Sequence, residues 1–116
     1  MKIVIPDELY GLVLEIWDRV DIENRLTQLA EEAAELSQAA LKYRRAIQTA
    51  RREENISPTP KALNDSYDSL MEECSDVMLA MLVTTSRLIS NDIMLNKARR
   101  WLDCLKRYRD EDDENE

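Results

Sequence analysis

The sequence predicts an all-α protein, a four-helix bundle-like domain, and three observations carry that expectation. The chain of 116 residues contains one glycine and three prolines, so long helices joined by few turns must account for most of its length. Its apolar share is 44%, with no phenylalanine, so the core rests on Leu, Ile, Val, Ala and Met, the residues with which helices pack on one another. Apolar positions also recur at three- and four-residue intervals through two long stretches. A chain of this size holds one core, so a single domain is expected over residues 1–109. The run DEDDENE at 110–116 holds six acidic residues and too little apolar surface to order itself, and is expected to be a disordered tail.

Residues 1–5 form a short β-branched run that reads as extended, ended by Pro6, which suits the first turn of a helix. The first helix is expected over Pro6–Arg19, burying Leu9, Val13, Ile16 and Trp17. Asp21 is placed to cap a second helix from Ile22 to Glu53, about 48 Å long at about 1.5 Å per residue. That length exceeds what one small domain covers, so its C-terminal third, with Tyr43, Ile47 and Ala50, is expected to project or meet another subunit. Residues 54–66 read as the connector, with Pro58 and Pro60 opposing helix there. Asp65 or Ser66 then caps a third helix over Tyr67–Ser90, and Asn91 and Asp92 mark a break before a fourth over Ile93–Arg109. Beyond a duplicated acidic pattern no internal repeat occurs.

That pattern is the most informative feature of the chain. Glu32 and Glu35 lie in LAEEAAEL, and Glu73 and Asp76 lie in LMEECSDVML. Each pair is spaced i, i+3, which stacks two side chains on one face of a helix. The expected apolar stripes are Ile22, Leu26, Leu29, Ala33, Leu36, Ala40, Ile47 on the second helix and Leu70, Cys74, Val77, Met81, Thr84, Leu88 on the third. Counted at about 100° per residue from Leu29 and from Leu70, Glu32 and Glu73 both fall at about −60°, and Glu35 and Asp76 at about −120°. Glu31 and Glu72 fall at about 200° and point elsewhere. Helices packed side by side through these stripes bring the two pairs face to face across a groove. Four converging carboxylates repel, so either some stay protonated or a cation neutralises them. An all-oxygen ligand set favours Mg²⁺, Mn²⁺ or Ca²⁺ over zinc or copper, and a partial carboxylate cage suits a Mg²⁺ shared with substrate phosphates. The alternative is an acidic helix face that only meets water.

Composition removes several classes of chemistry. With no histidine there is no Ser-His-Asp triad, no His-ligated zinc and no Glu-x-x-His di-iron bundle. Cys74 falls in an apolar stripe and reads as a buried free thiol, with Cys104 far from it, which fits a reducing compartment. The net charge of −8 argues against nucleic-acid polymers and anionic membranes as partners. No long apolar run and no signal-like start occur, so a cytoplasmic protein is expected.

With EEAAE at Glu31–Glu35 and ECSD at Glu73–Asp76 in view, the chain resembles the MazG-like all-α nucleoside triphosphate pyrophosphohydrolases, whose signature is EExxE followed by ExxD. ENRLTQLAEEAAELSQAALKYRR and KARRWLDCL are similar to the helices that surround that signature, and the resemblance spans roughly residues 15–107. It implies that Glu32, Glu35, Glu73 and Asp76 bind Mg²⁺, or Mn²⁺, and form the catalytic set. Lys97 and Arg100 match basic positions that meet phosphate, and Lys42 is a further phosphate candidate. Two departures stand out: 37 residues separate Glu35 from Glu73, more than is usual, and Arg99 stands where relatives tend to have Asn. The resemblance implies hydrolysis of a nucleoside triphosphate between its α and β phosphates, and assembly as a dimer or tetramer. A non-catalytic regulatory or assembly module of the same fold, and a phosphoribosyl-ATP pyrophosphohydrolase, are the competing expectations.

Overall fold

The computed structural model describes residues 5–52, 60–85 and 91–114, and among these every regular element is a helix. The elements are α1 (Asp7–Arg19), α2 (Ile22–Arg52), α3 (Pro60–Thr85) and α4 (Asn91–Glu114). They divide into two compact units, Met1–Ser86 and Arg87–Glu116. No helix is long and apolar enough to cross a membrane, among the described residues.

In the first unit α1 starts where Pro6 fixes φ at −57° and accepts a hydrogen bond from the Tyr10 amide at 3.0 Å. Asp7 and Glu8 in its first turn meet the positive end of the helix dipole. The helix ends when Val20 turns extended, its N–H still donating to the Ile16 carbonyl. The Arg19–Glu15 ion pair at 3.0 Å is exposed and adds little, so α1 is held through Val13, which packs with Leu82 and Val83 of α3, flanked by Ile5 and Leu9. The expected extended run falls, apart from Ile5, outside the described residues.

Asp21 caps α2 as its residue type requires, with Oδ1 accepting from the Asn24 amide at 2.8 Å. The 31 residues of α2 make it about 46 Å long, and α3 runs antiparallel along it. That direction is fixed at both ends of the pair. Arg25, near the start of α2, donates to the Val83 carbonyl at 3.1 Å, and Thr84 Oγ1 donates back to the Arg25 carbonyl at 3.3 Å. Further along, the Tyr43 and Tyr67 rings lie 5.7 Å apart, tilted by 59°.

The seam between these helices keeps the expected stripe on α3, where Leu70, Cys74, Val77, Met81 and Thr84 are all buried or half-buried, and departs from it on α2, where Ile22, Leu26, Ala33 and Ala40 are exposed. On α2 the buried and half-buried positions include the row Arg25, Leu29, Glu32, Leu36, Ala39, Tyr43, Ala46, Ala50, with Ile47 and Gln48 beside its end. On α3 Ser66, Glu73 and Ala80 join the expected Leu70, Val77 and Thr84 in one such row, with Cys74 and Met81 half-buried beside it. Both rows follow the alternating three- and four-residue steps of a heptad, and on α2 the row is rotated from the expected stripe toward the acidic flank. The cause lies at Arg25, whose Nε also donates to the Val20 carbonyl at 3.0 Å while its guanidinium stacks 3.8 Å from the centre of the Trp17 ring. This anchor draws its own face of α2 onto the C-terminal turn of α3 and leaves Ile22 and Leu26 46% and 51% exposed.

Expected boundaries also move. α3 begins at Pro60 rather than Tyr67, because a proline at the first helical position gives up an N–H that has no partner there anyway. Asp65 and Ser66 are therefore inside the helix instead of capping it, and Ser66 is buried with its Oγ donating to the Ala62 carbonyl. In that part of α2 expected to project, Tyr43, Ile47 and Ala50 are half-buried, Tyr43 against Tyr67 of α3. Leu88 and residues 86–90 lie outside the described residues. Cys74 is half-buried and free, and Cys104 is exposed and free.

In the second unit α4 starts at Asn91, with Asp92 in its first turn, and continues to Glu114 instead of ending at Arg109, so the first five residues of the acidic run prolong the helix. Ile93, Leu95, Trp101, Leu102, Leu105 and Tyr108 are all exposed along it.

Arg25 joins the ends of three helices through two carbonyl bonds from one charged group, each worth about 1.5–3 kcal/mol. Replacing it by alanine should lower the unfolding free energy by at least about 2 kcal/mol in urea titrations. An unchanged midpoint would show that the anchor is incidental.

Candidate metal centre

The seam takes in the first acid of each pair. Glu32 sits between Leu29 and Leu36 on α2, and Glu73 between Leu70 and Val77 on α3, so the first carboxylate of each pair occupies a packing position rather than a flank. Carboxylate oxygens of Glu32, Glu35 and Glu73 all lie within 4.8 Å of one another. Asp76 stands outside this trio but close enough for its charge to act on both Glu32 and Glu73. Glu31 and Glu72, expected to point away, are exposed and take no part in the trio.

The cluster is short of donors. Gln28, one turn before Glu32, donates from Nε2 to Glu32 Oε1 at 2.6 Å, while Oε2 of Glu32 and Oε2 of Glu73 are shielded from water and accept no hydrogen bond. Burial raises the Glu32 carboxyl above its ordinary 4.5; the Gln28 bond opposes that rise, and the Glu35 and Asp76 charges add to it. Glu73 is raised for the same leading reason, reinforced by Glu35, Asp76, Glu32 and Glu72.

These residues fit a hard divalent cation. Two orphaned, shielded carboxylate oxygens facing a third across 4.8 Å or less are acceptors without a donor, and every candidate ligand is oxygen. Zinc and copper, which favour nitrogen and sulfur, find neither in the trio.

Two grooves open beside the carboxylates, both lined by first-unit residues. One, of about 400 Å³, reaches from Glu32 and Asp76 toward Ile16, Arg25 and Val83. The other, of about 490 Å³, reaches from Glu35 and Glu73 toward Lys42 and Arg45. The structure thus brings Glu32, Glu35, Glu73, Asp76 and Lys42 to one locality. Lys97 and Arg100 stand exposed on α4, in the second unit. Gln28, Arg25 and Arg45 were not expected here. Gln28 lies four residues before Glu32 and Arg25 seven before it, so helical spacing alone carried a signal for both. Comparison with protein-family models, with curated proteins and with solved structures gives no match.

A carboxyl whose folded-state pKa is raised favours the folded protein while protonated. Its contribution is full below the unfolded value near 4.5 and is lost as pH rises through the folded value. In EDTA, Glu73→Gln should therefore melt higher than wild type at pH 7.5, and the difference should shrink toward zero as pH approaches 4.5. A variant that melts lower than wild type throughout would mean that the carboxylate is stabilised where it sits.

Proposed function

We propose that this protein is a Mg²⁺-dependent nucleoside triphosphate pyrophosphohydrolase of the MazG-like kind, releasing a nucleoside monophosphate and pyrophosphate. One observation carries the reading: carboxylate oxygens from two antiparallel helices converge within 4.8 Å, two of the acids holding a shielded oxygen that lacks a donor. The doubled acidic signature in the sequence points the same way. Glu32, Glu35, Glu73 and Asp76 would hold Mg²⁺ or Mn²⁺. A bound divalent ion would neutralise the phosphate charge that grows in the transition state.

The chain's own groups have the remaining tasks. A water molecule must be oriented and its proton accepted, and a motif carboxylate not fully occupied by the metal would take that proton. The water oxygen bonds to phosphorus, the bond to the α,β-bridging oxygen breaks, and the electron pair leaves with pyrophosphate. Lys42 lies beside Glu35 and Glu73 in one groove and suits a departing phosphate. Lys97 and Arg100 are carried as phosphate contacts by the sequence resemblance. A homo-oligomer, dimer or tetramer, belongs to the same proposal, supported by large apolar side chains left exposed on α2 and α3, among them Leu41, Met71 and Met78.

Pyrophosphate release from canonical and modified nucleoside triphosphates tests this reading. Wild type should release it with Mg²⁺ and cease in EDTA, and Asp76→Ala should lose at least about a hundredfold in kcat/KM, the scale of a lost metal or electrostatic contact. Absence of release from every substrate would leave the acidic seam to a non-catalytic module.

A further inference from the structure

The two grooves beside the carboxylates are chemically opposite, and that opposition gives the site a direction. The groove next to Glu32 and Asp76 is walled by Ile16, Val20, Leu79 and Val83, with neutral polar groups at Asn24, Thr27 and Gln28. Its one cation is committed elsewhere. Arg25 is buried, donates to the Val20 and Val83 carbonyls and stacks on Trp17, which holds its charge against two helix ends. With Glu31 also on its wall, this groove would meet a polyphosphate with carboxylates and no free cation among its lining residues. A flat, uncharged group with hydrogen-bonding edges matches it, and about 400 Å³ lies within the range of small-molecule pockets.

The groove next to Glu35 and Glu73 carries the opposite signal. Lys42 and Arg45 stand three residues apart on one face of α2, both exposed, with Gln38 and Ser69 nearby. Neither cation forms an ion pair among the described residues. Two cations on one helical face match phosphate oxygens, and the arginine fork takes two of them at once.

We infer that a nucleoside triphosphate lies across the seam in one orientation. The base and sugar occupy the groove of Leu79 and Gln28, the α and β phosphates span the carboxylates, and the terminal phosphate meets Lys42 and Arg45. This rests on the pyrophosphohydrolase reading and adds to it a substrate-binding residue outside the acidic signature, Arg45. It also says how the base is read. Gln28 spends an amide N–H on Glu32, which leaves its carbonyl oxygen for a donor on the base, so recognition runs through neutral hydrogen bonds rather than charge. Pyrophosphate then leaves from the basic side without passing the base.

Calorimetric binding of two probes as Mg²⁺ complexes, tripolyphosphate and the four α,β-methylene deoxynucleoside triphosphates, tests the orientation. Arg45 and Leu79 are both exposed, so Arg45→Gln and Leu79→Trp should keep the fold, checked by circular dichroism. Arg45→Gln should weaken both probes by at least about tenfold, and Leu79→Trp should weaken the nucleotides by a similar factor while leaving tripolyphosphate within about twofold. Equal effects of Leu79→Trp on both probes, or an Arg45→Gln variant that binds tripolyphosphate as wild type does, would overturn the orientation while the pyrophosphohydrolase reading stood on its turnover. If wild type bound neither probe, that reading would fall and the orientation with it.

Discussion

Glu32 and Glu73 meet from opposite sides of an antiparallel helix seam, each with one carboxylate oxygen shielded from water and without a donor. Positions at this spacing ordinarily take Leu, Ile or Val, because packing there removes apolar surface from water. Two acids at such positions oppose the close approach of α2 and α3 that the neighbouring Leu29, Leu36, Leu70 and Val77 favour. The raised pKa of both glutamates is the electrostatic face of that conflict. Folding without the cation thus favours a proton on the cluster, and a divalent cation would relieve the same repulsion more fully. A pairing that is poor for a core is good for a site: the acids are preorganised by packing, not by flexible surface chains.

The remainder of the first unit holds this arrangement in register. A seam slip of one residue would replace Glu32 by Ala33, so the helix ends must be pinned. Arg25 does this at the α1–α2 junction and at the C-terminal turn of α3, while the Tyr43–Tyr67 contact holds the other end. The buried apolar cluster is small, Val13 with Leu82 and Val83, and lies near the Arg25 end. Anchoring at both ends leaves the middle of the seam free to carry charge, and the two grooves open there.

Much of this was legible in the chain itself. The helical content, the Asp21 cap and the i, i+3 acidic pairs follow from composition and spacing, and the convergence of the pairs follows from their matched register. The rotation of the α2 face did not, for a reason that generalises. A stripe drawn through apolar letters skips any charged residue that occupies a packing position, and this seam contains Arg25, Glu32 and Glu73. The start of α3 was hidden for a related reason: Pro60 reads as a helix breaker, although the first turn is where proline fits. The groove chemistry was partly hidden as well. Lys42 lies seven residues beyond Glu35 and was visible as a candidate, whereas Arg45 acquires meaning only when Ser69 and Glu73 of the opposite helix are seen to share its groove.

The central claim is that the seam acids form a divalent-cation site, and Mn²⁺ titration followed by electron paramagnetic resonance tests it most directly. Wild type should remove free Mn²⁺ signal saturably, Mg²⁺ should compete it back, and the Glu32→Gln, Glu73→Gln double variant should remain folded without binding. Absence of saturable Mn²⁺ uptake by wild type, or uptake unchanged in the double variant, would contradict the account.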